Sequence, residues 1–114
     1  MPDKERQHSE NLFARSVDMA GLVAYQKGSV VSRTIINKKT GTVTLFAFDE
    51  GQSLSEHTAP YDALVYILEG EAKVTIAGSG LLAKRGEMVM MPANQPHALE
   101  ALGQFKMLLI MIKS

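Results

Sequence analysis

The sequence predicts one small all-β domain, a barrel or sandwich of short strands, on three observations. The chain has 114 residues, which suits one compact domain and leaves no room for two. Segments rich in β-branched and aromatic residues recur at short intervals, separated by Gly, Pro and Asn clusters. No stretch carries a sustained helical period, so a parallel α/β fold is not expected.

The elements follow in order. Residues 1–11 are polar, charged and aperiodic, and are expected to form a mobile leader in which His8 is solvated. Ser9–Ala14 could form a short helical turn. Val30–Ile36 is β-branched and reads as the first strand, Asn37–Gly41 as a turn, and Thr42–Phe48 as the next strand. Asp49-Glu50-Gly51 breaks that strand. Leu64–Leu68 is a third, closed by Glu69-Gly70-Glu71. Ala72–Ala77 follows, with Val74 and Ile76 alternating, and Gly78-Ser79-Gly80 is read as a hairpin turn. Met88–Met91 is a short strand stopped by Pro92. Another follows Pro96, and Phe105–Ile112 is the last. The expected core therefore runs from about residue 30 to residue 112, within a single domain spanning 1–114.

The last strand carries further information. Side chains alternate faces along a strand, so Phe105, Met107, Leu109 and Met111 share one face and Leu108, Ile110 and Ile112 the other, where only Lys106 is polar. A strand apolar on both faces needs cover on both. The interior covers one. The other requires the N-terminal segment around Leu12-Phe13 or a second copy of the chain, and a homodimer is the expectation.

Composition excludes several function classes. Formal net charge is zero, so no field draws a nucleic-acid backbone or an anionic membrane, and neither partner is expected. There is no cysteine, which removes thiolate chemistry and leaves His, carboxylate, Met or water as metal ligands. Met1–His8 has mixed charges and no apolar core, unlike a signal peptide. The longest apolar run, Met107–Ile112, is too short to span a bilayer. The expected location is the cytoplasm.

Two segments carry the candidate chemistry. Gly51-Gln-Ser-Leu-Ser-Glu-His57-Thr-Ala59-Pro-Tyr-Asp-Ala63 continues to Gly70, and Gly86-Glu-Met-Val-Met-Met-Pro92-Ala-Asn94-Gln-Pro-His97 continues to Ala101. The first resembles the cupin motif G-x5-H-x-H-x3-E-x6-G, and the second resembles its partner G-x5-P-x-G-x2-H-x3-N. The resemblance implies a double-stranded β-helix, a jelly-roll barrel of the RmlC-like kind. In that family two His and a Glu from the first motif and a His from the second point into the barrel, often onto Mn, Fe, Ni or Zn. His57 and His97 match two of these four positions. Ala59 stands at the second His position and Ala63 at the Glu position; Asn94 replaces a Gly, and Ala101 an Asn.

These departures shape the functional expectation. His57 and residue 59, two apart, would share a strand face, with Ala63 and His97 converging on them. Two imidazoles without a carboxylate should hold a divalent ion weakly. The first reading is a pocket lined by His57, His97, Ala59, Ala63 and Tyr66 that holds a small organic molecule. The alternative is a metal-dependent enzyme of dioxygenase or isomerase type, with a two-His site completed by water or substrate. A metal-free variant would use one His as general base, and a third class is a dimeric scaffold with no ligand. Tyr61 could donate a phenolic proton to a ligand. Tyr66 sits mid-strand, where packing or an interface competes with that role. Asp62 is expected to face solvent or orient a loop, and the seven methionines, several of them on strands, could supply soft thioether ligands but are expected more often to fill gaps in an apolar interior.

Overall fold

The computed structural model describes residues 12–113. Nine strands are present among them: β1 (Val30–Lys38), β2 (Gly41–Phe48), β3 (Ser53–His57), β4 (Asp62–Glu69), β5 (Glu71–Ile76), β6 (Ser79–Lys84), β7 (Met88–Met91), β8 (His97–Glu100) and β9 (Phe105–Ile112). They form two antiparallel sheets. One has the order β1-β2-β9-β4-β7, and the other β3-β8-β5-β6. The expected helical turn at Ser9–Ala14 is described only from Leu12, where Leu12–Ala14 form a turn. A short 3-10 helix lies instead at Met19–Leu22. The leader expected at residues 1–11 lies outside the described residues.

Alternation decides which side chains enter the core. On β4, Ala63, Val65 and Ile67 are buried, while Asp62 and Tyr66 are exposed. On β2, Phe46 and Phe48 face inward, and Leu45 and Ala47 pack on the outer side. Phe105 and Met107 of β9 are fully buried, and the Phe105 ring stacks on Phe48 with centroids 4.4 Å apart. Burying each such side chain contributes about 1.5–3 kcal/mol. The β4–β5 turn brings backbone very close at this end. Gly70 has φ 70°, and a Cβ there would clash with the Gln104 carbonyl oxygen; only glycine satisfies both conditions.

The structure is the expected all-β jelly roll, built as a sandwich of two sheets rather than one closed barrel. β1 and β7 are the edges of one sheet, and β3 and β6 those of the other. The sheets bury each other's inner faces, so the core is sealed by packing without a continuous ladder. β6 was not read as a strand from the sequence, and the strand expected around His57 ends there, as β3, instead of running on to residue 59. Ser79 and Gly80, expected to be part of a turn, open β6, and the tight turn is Ala77-Gly78, both at positive φ.

The N-terminal segment covers part of the outer face of the five-stranded sheet. Leu22, Val23 and Tyr25 pack with Leu45, Ala47, Leu68 and Leu108. The buried Lys106 anchors this strap: its Nζ donates to the Ala20 carbonyl at 2.6 Å and lies 5.1 Å from the Tyr25 ring centroid. The Tyr25 hydroxyl donates to Glu69 Oε1 at 2.9 Å. Burial first, and then the contact with Glu69, raise the Tyr25 phenol above its ordinary range. Cover of the outer face within one chain is therefore real, but it comes from residues 20–25 and stops short of Leu64, Met90 and Ile112. No helix among the described residues is long and apolar enough to cross a membrane.

Candidate functional site

β3 and β8 bring the two histidines together. His57 and His97 are register partners, and their rings meet edge to face with centroids 4.4 Å apart. His97 shares the inward face of β8 with the buried Leu99. His57 reaches that side through a bulge: Leu54 pairs with Leu99 and His57 with His97, so β3 uses one more residue than β8 over this interval. Without the extra residue, simple alternation from the inward Leu54 would turn His57 away. Bulges of this kind re-aim side chains at sheet edges, and β3 is an edge strand.

Backbone contacts set the protonation pattern of both rings. His57 Nδ1 donates to the Ser55 carbonyl at 2.9 Å, and His97 Nδ1 to the Gln95 carbonyl at 3.1 Å. A carbonyl oxygen only accepts, so each Nδ1 carries a proton and Nε2 is the acceptor nitrogen of the neutral ring. The pair thus offers two oriented lone pairs. His97 is buried, whereas His57 is exposed, so the site opens to solvent on the β3 side.

The facing sheet supplies an apolar wall. Ala63 is buried and pairs with Met91 of β7 on one side and Met111 of β9 on the other. Met111 in turn pairs with Thr42 of β2. This row lies at the same end of the sandwich as the histidines. The Ala93 amide donates to Asp62 Oδ1 at 2.9 Å, and the Asn94 amide to the Ala59 carbonyl at 2.8 Å, which ties the β7–β8 loop to the β3–β4 loop. Among the described residues Thr42 Oγ1 is buried with no hydrogen-bond partner, which leaves polar capacity to spare beside this wall. Nothing in the motif spacing pointed to Thr42, Met91 or Met111; they are found only through strand register.

The remaining expected site residues divide. Ala63 lies on the inner face, as expected. Ala59 does not share a strand face with His57, because β3 ends at His57; its contribution is the carbonyl that fixes Asn94. Asn94 has φ 66°, the left-handed conformation that suits the Gly of the motif and that Asn tolerates better than other residues. Tyr66 is corrected: it is exposed on the outer face of β4, opposite to Ala63, and does not line the interior. Tyr61 is half-buried beneath Lys113, whose Nζ is 5.4 Å from its ring centroid. Asp62 orients a loop, as expected.

The donor set does not fit a resident divalent ion of the four-ligand kind. Among the described residues no three His, Cys, Asp or Glu side chains come together, and the third and fourth positions of the motif carry methyl groups. A cleft of about 240 Å³ lined by residues such as Ser53, Ser55, Lys73 and Thr75 involves the outward positions of β3 and β5, away from the histidine pair.

Comparison with known proteins places this geometry in a wider setting. Residues 44–113 match the family model for the cupin domain. A conserved protein of unknown function from Streptococcus pyogenes is 36% identical, with 89% of each chain covered and a TM-score of 0.85. A cupin superfamily protein from Desulfitobacterium hafniense is 31% identical over 89% of this chain and 93% of that one, also with a TM-score of 0.85. A cupin 2 conserved barrel domain protein from Leptotrichia buccalis is 44% identical over 82% of this chain, with a TM-score of 0.81, but only 46% of that longer chain is covered. No curated protein matches.

Proposed function

The chain belongs to the cupin family, and from that premise we propose that it is a small-molecule-binding protein whose pocket is the histidine end of the sandwich interior. The observation that carries the reading is the paired imidazoles, each fixed through Nδ1 to backbone and each left with an acceptor nitrogen. Ala63 and the flanking methionines supply apolar surface, and Thr42 supplies a polar atom in want of a partner. Few oriented polar groups in an apolar setting are what a small-ligand site requires. The suited ligand is a compact organic molecule with a hydrogen-bond donor for Nε2 and an apolar body. A divalent ion binds weakly here, because two neutral nitrogens leave its charge uncompensated.

The test is a nuclear magnetic resonance screen of small organic acids, alcohols and amides against the labelled protein. Binders should shift His57, His97, Thr42 and Ala63 together, and His97→Ala should abolish the response. Shifts confined to the outward cleft around Ser53 and Lys73 would overturn the assignment.

We also propose that the chain works as a homodimer through the outer face of its five-stranded sheet. Support comes from the part the strap leaves bare. Leu64, Ile110 and Met90 lie side by side across β9, β4 and β7, with Tyr66 and Met88 in the next row; Met88, Met90 and Ile112 are each more than half exposed. Monomers seldom expose a contiguous patch of this kind. A two-fold axis brings the same patch against itself, and zero net charge opposes this little. Light scattering at micromolar concentration should give the dimer mass, and Ile110→Glu the monomer mass. A wild type that stays monomeric there rejects the dimer.

A further inference from the structure

We propose that the histidine end of the interior is a soft-metal site, with His57 and His97 on one sheet and the thioethers of Met91 and Met111 on the other forming a donor set suited to Cu(I). The inference deepens the pocket reading and rests on His57 and His97 facing the interior. Two observations carry it.

The first is placement. Met91 and Met111 are the two register partners of Ala63, so one thioether stands on each side of the position that carries only a methyl group. Met91 is buried in the core and Met111 packs against it. Both lie at the end of the sandwich where His57 and His97 pair. Methionine has enough rotatable bonds to bring its sulfur to a donor position without moving the backbone.

The second is charge and softness. All four donors are neutral, and Asp62, the acidic residue nearest Ala63 in the chain, points outward and bonds to the Ala93 amide. Burying an uncompensated divalent ion is far more costly than burying a monovalent one, because the desolvation cost grows with the square of the charge. Thioether and imidazole donors without carboxylate select a soft monovalent ion, and Cu(I) is the one whose preferences they meet. The same substitutions that weaken a hard divalent site, Ala at positions 59 and 63, therefore leave a soft one in place.

The experiment is anaerobic titration of the full chain with Cu(I), supplied as its acetonitrile complex and competed against bicinchoninate. The wild type should take one equivalent from the chelator, and X-ray absorption should show both nitrogen and sulfur scatterers. Met91→Leu and Met111→Leu nearly conserve volume; each should weaken binding by about tenfold or more, equivalent to about 1.4 kcal/mol. His97→Ala should weaken it further. Met19→Leu, on the 3-10 helix of the strap, should change nothing. If the leucine variants bind as the wild type does while His97→Ala does not, the thioethers are not ligands and the proposal fails, with the imidazole pair left standing. If all variants bind alike, or nitrogen and oxygen are the only scatterers, copper sits elsewhere and the proposal fails outright. If wild type takes no copper, it fails as well, and the organic-ligand screen then decides the pocket reading separately.

Discussion

The two ends of the sandwich interior are built differently. At one end, Phe48 and Phe105 stack, Ile67 and Met107 are fully buried, and the strap of residues 20–25 covers the outside of the same strands. Nearly every polar group there has a stated partner: Lys106 with Ala20 and Glu69, Tyr25 with Glu69, and Asp49 with Gly28 and Gln104. The other end is lined by Ala63, two methionines and two imidazoles. His57 is open to solvent, Thr42 lacks a hydrogen-bond partner among the described residues, and Met88, Met90 and Ile112 are exposed on the outer face. The first end has the density of a core built for stability. The second has unfilled hydrogen-bonding capacity held on rigid strands, the condition for a site.

The largest effect that can break this comparison is at the closed end. Phe105→Ala removes one ring of the stacked pair from a site with no solvent access, and should cost about 3–5 kcal/mol in urea unfolding. A loss under about 1 kcal/mol would show that the closed end is not the stabilising one.

An intermediate effect is expected at Ala63. Ala63→Glu places a carboxylate beside Met91 and Met111 and should lower stability by about 1–3 kcal/mol without metal. It also restores one anionic donor to the histidine pair, so saturating Zn²⁺ should return stability; at about one hundred times Kd the gain is about 2.7 kcal/mol. Thermal unfolding with and without Zn²⁺ checks both parts. A variant destabilised to the same degree in both conditions would mean that residue 63 does not face the imidazoles.

A smaller stability effect should accompany His57→Ala. The side chain is exposed, so the change should stay within about 0.5 kcal/mol, while ligand responses at His97 disappear. A large loss of stability with binding retained would reverse the roles assigned to the two ends.

The smallest effect is the pH dependence of the strap. The Tyr25 phenol is raised in the folded chain, by burial first and by Glu69 second. A raised folded value means that its contribution is present below the unfolded tyrosine value, about pH 10, and is lost as pH rises above it, since the unfolded chain releases its proton first. Tyr25→Phe should therefore flatten the decline of stability above about pH 10. Wild type and variant curves that stay parallel there would detach Tyr25 from the account.

The open end was the more legible in the sequence, although the closed end is the more regular. The Gly, Pro and His spacings of the two motifs marked His57 and His97 as neighbours, and turn residues marked most strand ends. Three features escaped for physical reasons. The end of β3 at His57 leaves no trace in spacing, so Ala59 was expected on the same strand face and lies in the loop beyond it, and the bulge that turns His57 inward is equally silent. β6 opens with Ser79-Gly80, which read as a turn because glycine weakens any strand pattern. The strap has no periodicity at all; Val23 and Tyr25 are held by contacts with β2, β4 and β9 that lie far away in the chain. Thr42, Met91 and Met111 needed the register, which pairs residues separated by tens of positions.

The central claim is that both histidines present free Nε2 atoms to one interior site. Its most direct test is a long-range ¹H–¹⁵N spectrum of the imidazole nitrogens, recorded alone and during titration with a ligand from the screen. The account predicts that the neutral rings of both His57 and His97 carry their proton on Nδ1, and that the two Nε2 resonances move together at one saturating concentration. A neutral ring protonated on Nε2, or two Nε2 resonances that respond independently, would contradict it.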